Sequence, residues 1–198
     1  MKRIILASKN EGKIREIKAM LKELDIEILS LNDYENLPEV MEDGKSFSEN
    51  ALKKARIISE HTSEMVLADD SGLEVEYLNG EPGVYSARYS GRDATDGSNI
   101  KKLLERMDGV SIEKRSASFR CVLVLYRPDG KYWEFEGSLR GIINDKPVGN
   151  GGFGYDSVFF LPELGLTVAQ LPPDMKNKIS HRARAVYKFK ETYMRKFV

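Results

Sequence analysis

The sequence predicts an α/β fold: a mixed, twisted β-sheet with flanking helices, in two lobes with a cleft between. Two patterns predict it. From residue 3 to residue 77, short apolar runs alternate with segments of helical period, as βαβ units require. From residue 117 to 143 the helical period vanishes and period-two runs follow one another, as in an antiparallel meander. A chain of 198 residues holding both patterns fits a single domain spanning residues 1–198.

The first strand is Arg3-Ile4-Ile5-Leu6-Ala7. A polar turn follows, Ser8-Lys9-Asn10-Glu11-Gly12-Lys13, and then a helix with Ile14, Ile17, Leu21 and Leu24 on one face. The turn thus lies between a strand end and a helix N-terminus, where free N–H groups and the helix dipole favour anions. Lys13 adds a mobile positive charge. The turn is not a Walker A loop, because Ala7 and Ile14 stand where Gly and Ser or Thr are needed. A capped βα turn with a surface lysine fits the same residues. Ile26–Leu29 is a second strand. An acidic connection containing Glu39, Glu42 and Asp43 leads to Ser46-Phe47-Ser48-Glu49, a capping box opening a helix whose buried face is Phe47, Ala51, Ala55 and Ile58.

Met65–Ala68 is a buried strand that runs into Asp69-Asp70-Ser71-Gly72. Adjacent carboxylates at a strand end repel unless a cation sits beside them or one stays protonated. Oxygen ligands of this kind suit Mg2+, and the acidic loop at 39–43 can fold back to complete its coordination; a solvated turn capped by Asp70 is the alternative. Leu73–Tyr77 reads as a separate, half-exposed strand, followed by a turn at Asn79-Gly80 and a Tyr- and Gly-rich loop over residues 81–91. Ile100, Leu103, Leu104 and Met107 mark a helix. The meander comprises Ala117–Leu125, a turn at Pro128-Asp129-Gly130, Tyr132–Phe135 and Ser138–Ile143.

The densest glycine cluster is Gly149-Asn150-Gly151-Gly152-Phe153-Gly154-Tyr155-Asp156, four glycines in eight residues. It suits either a loop that wraps a flat or phosphorylated ligand or an ordinary turn between strands. It contains G-x-G-x-x-G, but a strand, Ser157–Leu161, follows instead of a helix, so a dinucleotide-binding turn is rejected. Lys176, Lys178, His181 and Arg182 cluster ahead of a last helix marked by Val186, Phe189, Tyr193 and Phe197. Cations at a helix N-terminus oppose its dipole, which favours a bound anion or base carbonyl over a merely solvated helix start.

The totals exclude several classes. Thirty-one Lys and Arg balance 31 Asp and Glu, which argues against binding nucleic acid or an anionic membrane by bulk attraction. Cys121 is the one cysteine, so an intramolecular disulfide and a Cys-based zinc site are excluded, and its place in an apolar strand fits a buried thiol. Two histidines rule out a His-rich metal cluster. The apolar run near the start is too short for a signal peptide or membrane span, so a cytoplasmic location is expected.

Five stretches carry a resemblance: Ser8-Lys9-Asn10-x-x-Lys13, Ala68-Asp69-Asp70-Ser71-Gly72-Leu73, Pro82-Gly83-Val84-Tyr85-Ser86-Ala87-Arg88, Gly152-Phe153-Gly154-Tyr155-Asp156 and Ser180-His181-Arg182. In this order they resemble the inosine triphosphate pyrophosphatase family, Ham1-like enzymes acting on non-standard purine nucleotides. The resemblance implies hydrolysis of ITP, dITP and XTP to the monophosphate and pyrophosphate, with Mg2+ as cofactor, in a homodimer, and a nucleotide in the cleft of the two-lobed fold. It implies triphosphate contacts from Ser8, Lys9, Asn10, Glu11, Gly12 and Lys13. Asp70 would be proton acceptor and metal ligand, with Glu39 the first choice and Glu42 the alternative for a second ligand. Ser71, Phe153, Gly154, Tyr155, Asp156, Lys176, His181 and Arg182 would contact substrate, Phe153 stacking on the purine. Donors in the His181-Arg182 segment would then face a 6-keto oxygen.

Overall fold

The computed structural model describes residues 2–197. Seven strands form one mixed sheet in the order β2-β1-β3-β4-β5-β6-β7. β1 (Lys2–Leu6) pairs in parallel with β2 (Ile26–Ser30), Ile4 opposite Ile28, and with β3 (Val66–Val75), Leu6 opposite Leu67. The connections are helices, as parallel pairing demands: α1 (Glu11–Leu21) after β1 and α2 (Phe47–Thr62) before β3. After α3 (Asp96–Arg106), the long strands β4 (Ser116–Tyr126) and β5 (Tyr132–Ile143) form a hairpin. β6 (Phe159–Leu161) and β7 (Leu166–Thr167) extend the sheet in antiparallel fashion. α4 (Pro173–Ile179) and α5 (His181–Phe197) close the chain. No described helix is long and apolar enough to cross a membrane.

The chain divides into two compact units, each with its own core. Unit 1 comprises Met1–Asp70, Cys121–Gly137 and His181–Val198; unit 2 comprises Ser71–Arg120 and Ser138–Ser180. In unit 1, Ile14, Ile17 and Leu21 of α1 and Val186, Phe189 and Tyr193 of α5 share a buried cluster with Ile4, Leu67 and Leu123. The aromatic spacing of α5 stacks Tyr193 on Phe197 and sets Phe189 edge-on to Phe135. In unit 2, Leu73, Leu103, Phe119, Leu139 and Phe159 lead the core, with the Phe119 and Phe159 rings stacked 4.2 Å apart.

Two sequence expectations are corrected here. The acidic pair is not at a strand end: the runs expected at Met65–Ala68 and Leu73–Tyr77 are joined in the single strand β3, which has Asp69 and Asp70 inside it and ends at Val75, where Glu76–Leu78 turn in a 3-10 helix. Asp, Ser and Gly disfavour strands, so the pattern read as a turn; buried cations make the strand tolerable. Likewise, the three-strand meander is two strands, because β5 continues through Gly137. A Cβ there would lie 2.0 Å from the His181 carbonyl oxygen, so the glycine admits the backbone of α5 instead of ending a strand. α4 was not anticipated, since its opening Pro172-Pro173 reads as a break although Pro is well placed in a first helical turn.

Candidate functional site

In unit 1 the end of β1, the start of α1 and the middle of β3 assemble a buried array of charges. Asn10 caps α1, its side chain accepting from the Lys13 amide at 3.0 Å, while the Ser8 hydroxyl accepts from the Asn10 amide at 3.1 Å. The cap brings Lys13 into the first turn, where its ammonium donates to Asp69. Asp69 is 1% exposed. Its other oxygen accepts from Arg182 Nε at 3.0 Å and from the Cys121 thiol at 3.2 Å. Arg182, equally buried, reaches Glu16 of α1 with Nη1 at 2.5 Å. Two carboxylates thus offset a cation in the first turn of α5, where the helix dipole alone disfavours it. Lys54, on the buried face of α2, donates to Glu42 at 2.5 Å and to the Asp69 carbonyl at 2.6 Å. α2 also holds the acidic loop through Asn50, which accepts from the Gly44 amide at 2.8 Å, and through Lys53, which pairs with Asp43 at 2.6 Å.

The adjacent carboxylates titrate in opposite directions. Burial alone would raise Asp69, but Arg182 and Lys13 hold it well below the usual carboxylate range. Burial dominates at Asp70; Lys54 and Lys13 pull its pKa down, Glu42 pushes it up, and the result is a rise from 3.8 to about 6. One carboxylate is locked as an anion and its neighbour is poised near neutrality, a division suited to acid–base work. The Cys121 thiol is pushed well above its ordinary value by burial and by Asp69, so it is no nucleophile.

In unit 2 the glycine-rich loop is tightly built. Gly149, Gly152 and Gly154 have positive φ of 86°, 73° and 61°. Asp156 is buried and turns back on the loop, accepting from the Phe153 amide at 2.9 Å and from the Lys176 ammonium at 2.5 Å. Any Cβ at position 152 would meet that carboxylate at 2.0 Å. Lys176 also stands 4.7 Å from the centre of the half-buried Phe153 ring. The Tyr155 hydroxyl donates to the Ser86 carbonyl at 2.8 Å, and burial raises its pKa. The Ser86 hydroxyl donates to the Gly83 carbonyl at 2.6 Å and accepts from the Leu73 amide at 2.9 Å. This ties the 82–88 stretch to the strand residues just after Asp70.

Comparison with known proteins decides the family. The Ham1 family model matches residues 4–192. The chain belongs to the Ham1 family. Among its relatives, the dITP/XTP pyrophosphatase of Geobacter sulfurreducens is 52% identical, over 96% of each chain, and that of Geobacillus kaustophilus is 48% identical, over 98% of this chain and 95% of the relative. A Ham1 protein structure from Coxiella burnetii superimposes with a TM-score of 0.90 at 38% identity, covering 98% of this chain and all of the other. The Ham1 protein of Staphylococcus aureus gives 0.87 at 39% identity, over 98% of both chains.

Within this Ham1-family frame the residues singled out in the sequence fall into distinct places. Ser8, Asn10, Lys13, Asp70, Glu42 and Arg182 share the charged array of unit 1 or its borders, whereas Glu39 is exposed and makes none of the contacts above. Lys9 and Glu11 are exposed, and Glu11 accepts from Asn32 at 2.6 Å. Gly12 is half-buried in the first turn of α1. Ser71 follows Asp70 in β3 and is half-buried; His181, buried, opens α5. Lys176 is committed to Asp156 and Phe153, and Arg182 to Asp69 and Glu16. Residues that sequence reasoning missed are Lys54, Asn50 and Glu16. Lys54 and Asn50 did leave a signal, because both lie on the apolar face of α2 marked by Phe47, Ala51, Ala55 and Ile58, an unlikely setting for a solvated side chain.

Proposed function

We propose that this chain is a Mg2+-dependent nucleoside-triphosphate pyrophosphatase that converts ITP, dITP and XTP to the monophosphate and pyrophosphate, clearing non-standard purines from the nucleotide pool. The reading takes residues 1–198 as one functional domain, working in the cytoplasm as a homodimer. The observation that carries it is the Asp69–Asp70 pair, one anion locked by cations and one carboxyl with a pKa pushed up to about 6. A protein that only held a nucleotide would have no use for so costly an arrangement. The relatives' activity comes to this chain through identity near 50% over almost its full length.

Asp70 and Glu42 suit Mg2+: they are hard oxygen donors whose mutual repulsion a divalent cation relieves. Among the described residues no three acidic, His or Cys side chains form a ready-made metal cage. Mg2+ itself usually takes one or two carboxylates and completes its shell with water and substrate phosphates. Glu42 is assigned before Glu39 because it lies close enough to Asp70 to raise its pKa and shares Lys54 with the Asp69 carbonyl, whereas Glu39 is exposed. Such an ion, when bound, neutralises phosphate charge and acidifies water. Asp70, mostly ionised at neutral pH yet still basic, accepts the proton of the attacking water. Lys13, Ser8 and the amides between them meet the phosphates, with Lys9, Asn10, Glu11 and Gly12 framing that turn. Arg182 is assigned to orienting Asp69 and Lys13, not to a direct contact with the purine. Ser71, His181 and Lys176 are further substrate contacts, and Phe153, Gly154, Tyr155 and Asp156 form the base platform.

The test is turnover of ITP, dITP, XTP, ATP, GTP and dTTP with Mg2+, with the phosphate product identified. Rapid release of pyrophosphate from the first three is expected. Absence of turnover on any of the six, or orthophosphate as the product, would overturn the reading.

A further inference from the structure

The Phe153 ring can be aimed only from a fixed Cα–Cβ bond, and the direction of that bond is set by the two peptide planes beside its Cα. The plane on the N-terminal side carries the Phe153 amide, held by Asp156 from within the loop at 2.9 Å. The plane on the C-terminal side carries the Gly154 amide, and that proton goes to a carboxylate from another element, Asp96 Oδ2 of α3, at 2.7 Å. Gly154 sits at φ 61° with nothing within 4 Å of where a Cβ would be, and the loop's own bond to this peptide, from the Asp156 amide to the Phe153 carbonyl, is long at 3.3 Å. A glycine at positive φ, in a loop that also holds Gly149, Gly151 and Gly152, has more backbone freedom than any other residue, and hydrogen bonds must restrain it. Asp96 is itself fixed. It occupies the first turn of an eleven-residue helix, after Thr95, which accepts from the Ser98 amide at 3.1 Å, and next to a Ser98 hydroxyl that accepts from the Thr95 amide at 2.8 Å.

We propose that Asp96 is a positioning residue for nucleobase recognition: through the Gly154 amide it locks the Phe153 ring in its stacking orientation. The inference rests on the assignment of Phe153 as the base platform. Asp96 need not touch substrate. It lowers KM by sparing the nucleotide the entropy of ordering the loop, and it leaves the Asp70 chemistry alone. An acidic side chain suits the task, because a charged acceptor holds an amide more strongly than a neutral one.

The test is a set of steady-state measurements on ITP with wild type, Asp96→Ala, Asp96→Asn, Phe153→Ala, Ser98→Ala and the double variant Asp96→Ala/Phe153→Ala. Asp96→Ala should raise KM about fivefold, the cost of one partly exposed charge-assisted hydrogen bond, with kcat within about twofold of wild type. Asp96→Asn keeps an oxygen acceptor and should recover most of the loss. Ser98→Ala breaks the reciprocal cap of α3 without touching Gly154, so it should lower the melting temperature and leave KM unchanged. In the Phe153→Ala background, Asp96→Ala should add nothing, since the ring it positions is gone. If Phe153→Ala leaves KM unchanged, the base-platform reading itself falls. If Phe153→Ala raises KM but Asp96→Ala does not, or Ser98→Ala raises it as much, or the double variant shows additive losses, the role of Asp96 is refuted while the platform stands.

Discussion

Asp69 and Asp70 are neighbours in one strand, yet they contribute to stability with opposite signs. For Asp70 the folded pKa, about 6, lies above its ordinary 3.8. Between those values the folded protein keeps a proton that the unfolded chain has released, so stability is lost as pH rises through that window. Asp70→Asn carries no such cost and should stabilise the metal-free protein by about 3 kcal/mol at pH 7, a gain that vanishes below pH 4 in urea titrations across pH. The same variant should lose at least about a hundredfold in kcat, the usual contribution of a general base. Asp69 behaves the other way. Its pKa is depressed, so its contribution is present above the ordinary carboxylate value and is lost as pH falls through the native one. Asp69→Asn leaves Arg182 and Lys13 short of a counter-charge and should destabilise by about 3–5 kcal/mol, as breaking a buried pair does. A destabilisation below about 1 kcal/mol would show that the array is more solvated than the burial of Asp69 and Arg182 implies.

At the scale of elements, the contact between β5 and the first turn of α5 controls this array. Gly137→Ala would place a methyl group against the His181 carbonyl and within 2.6 Å of the Ala185 amide. It should cost about 3 kcal/mol and, by shifting the turn that carries Arg182, reduce turnover as well; a silent Gly137→Ala would mean that α5 can slide without consequence. Gly137 also shows what the sequence does and does not reveal. Helices were legible: Ser46 caps α2 by accepting from the Glu49 amide, although the Glu49 carboxylate turns to the Lys45 amide and leaves the expected capping box half-formed, and the aromatic period of α5 marks its buried face. Strand continuity was not, because Gly and Asp weaken local strand preference while the partners that compensate are far away in sequence. Lys13 is 56 residues from Asp69, and Arg182 is 113. The motif residues were legible as types, but the proposed choice of Glu42 before Glu39 depends on Asn50 and Lys54, and no local pattern announces the role proposed for Asp96. Arg115 is a further hidden knot. Its buried guanidinium bonds the carbonyls of Met107, Val110, Ile143 and Asn144, joining the end of α3 to the end of β5.

At the scale of the whole molecule, the chain passes between its two units at Asp70–Ser71, Arg120–Cys121, Gly137–Ser138 and Ser180–His181. Three of these passages lie inside strands, so no Pro- or Gly-rich linker marks the units in the sequence as it does for domains strung in series. Ligand linkage tests the metal assignment at this scale. An ion that binds only the folded protein stabilises it by about 2.7 kcal/mol at a hundredfold excess over its Kd. Mg2+ should therefore raise the melting temperature of wild type and of Glu39→Gln, but not of Asp70→Asn or Glu42→Gln. A response lost in Glu39→Gln and kept in Glu42→Gln would reverse the choice of ligand. Cys121 offers a second readout. The thiol is 1% exposed and lies against Asp69, at the centre of the charged array of unit 1. An alkylating reagent can reach it only when that array comes apart, and a single cysteine gives a single, unambiguous adduct. The rate of modification, divided by that of the unfolded chain, reports how often the centre opens, and nucleotide with Mg2+ should slow it. A residue assigned no part in the proposed chemistry thus becomes a clock for the integrity of the residues assigned one.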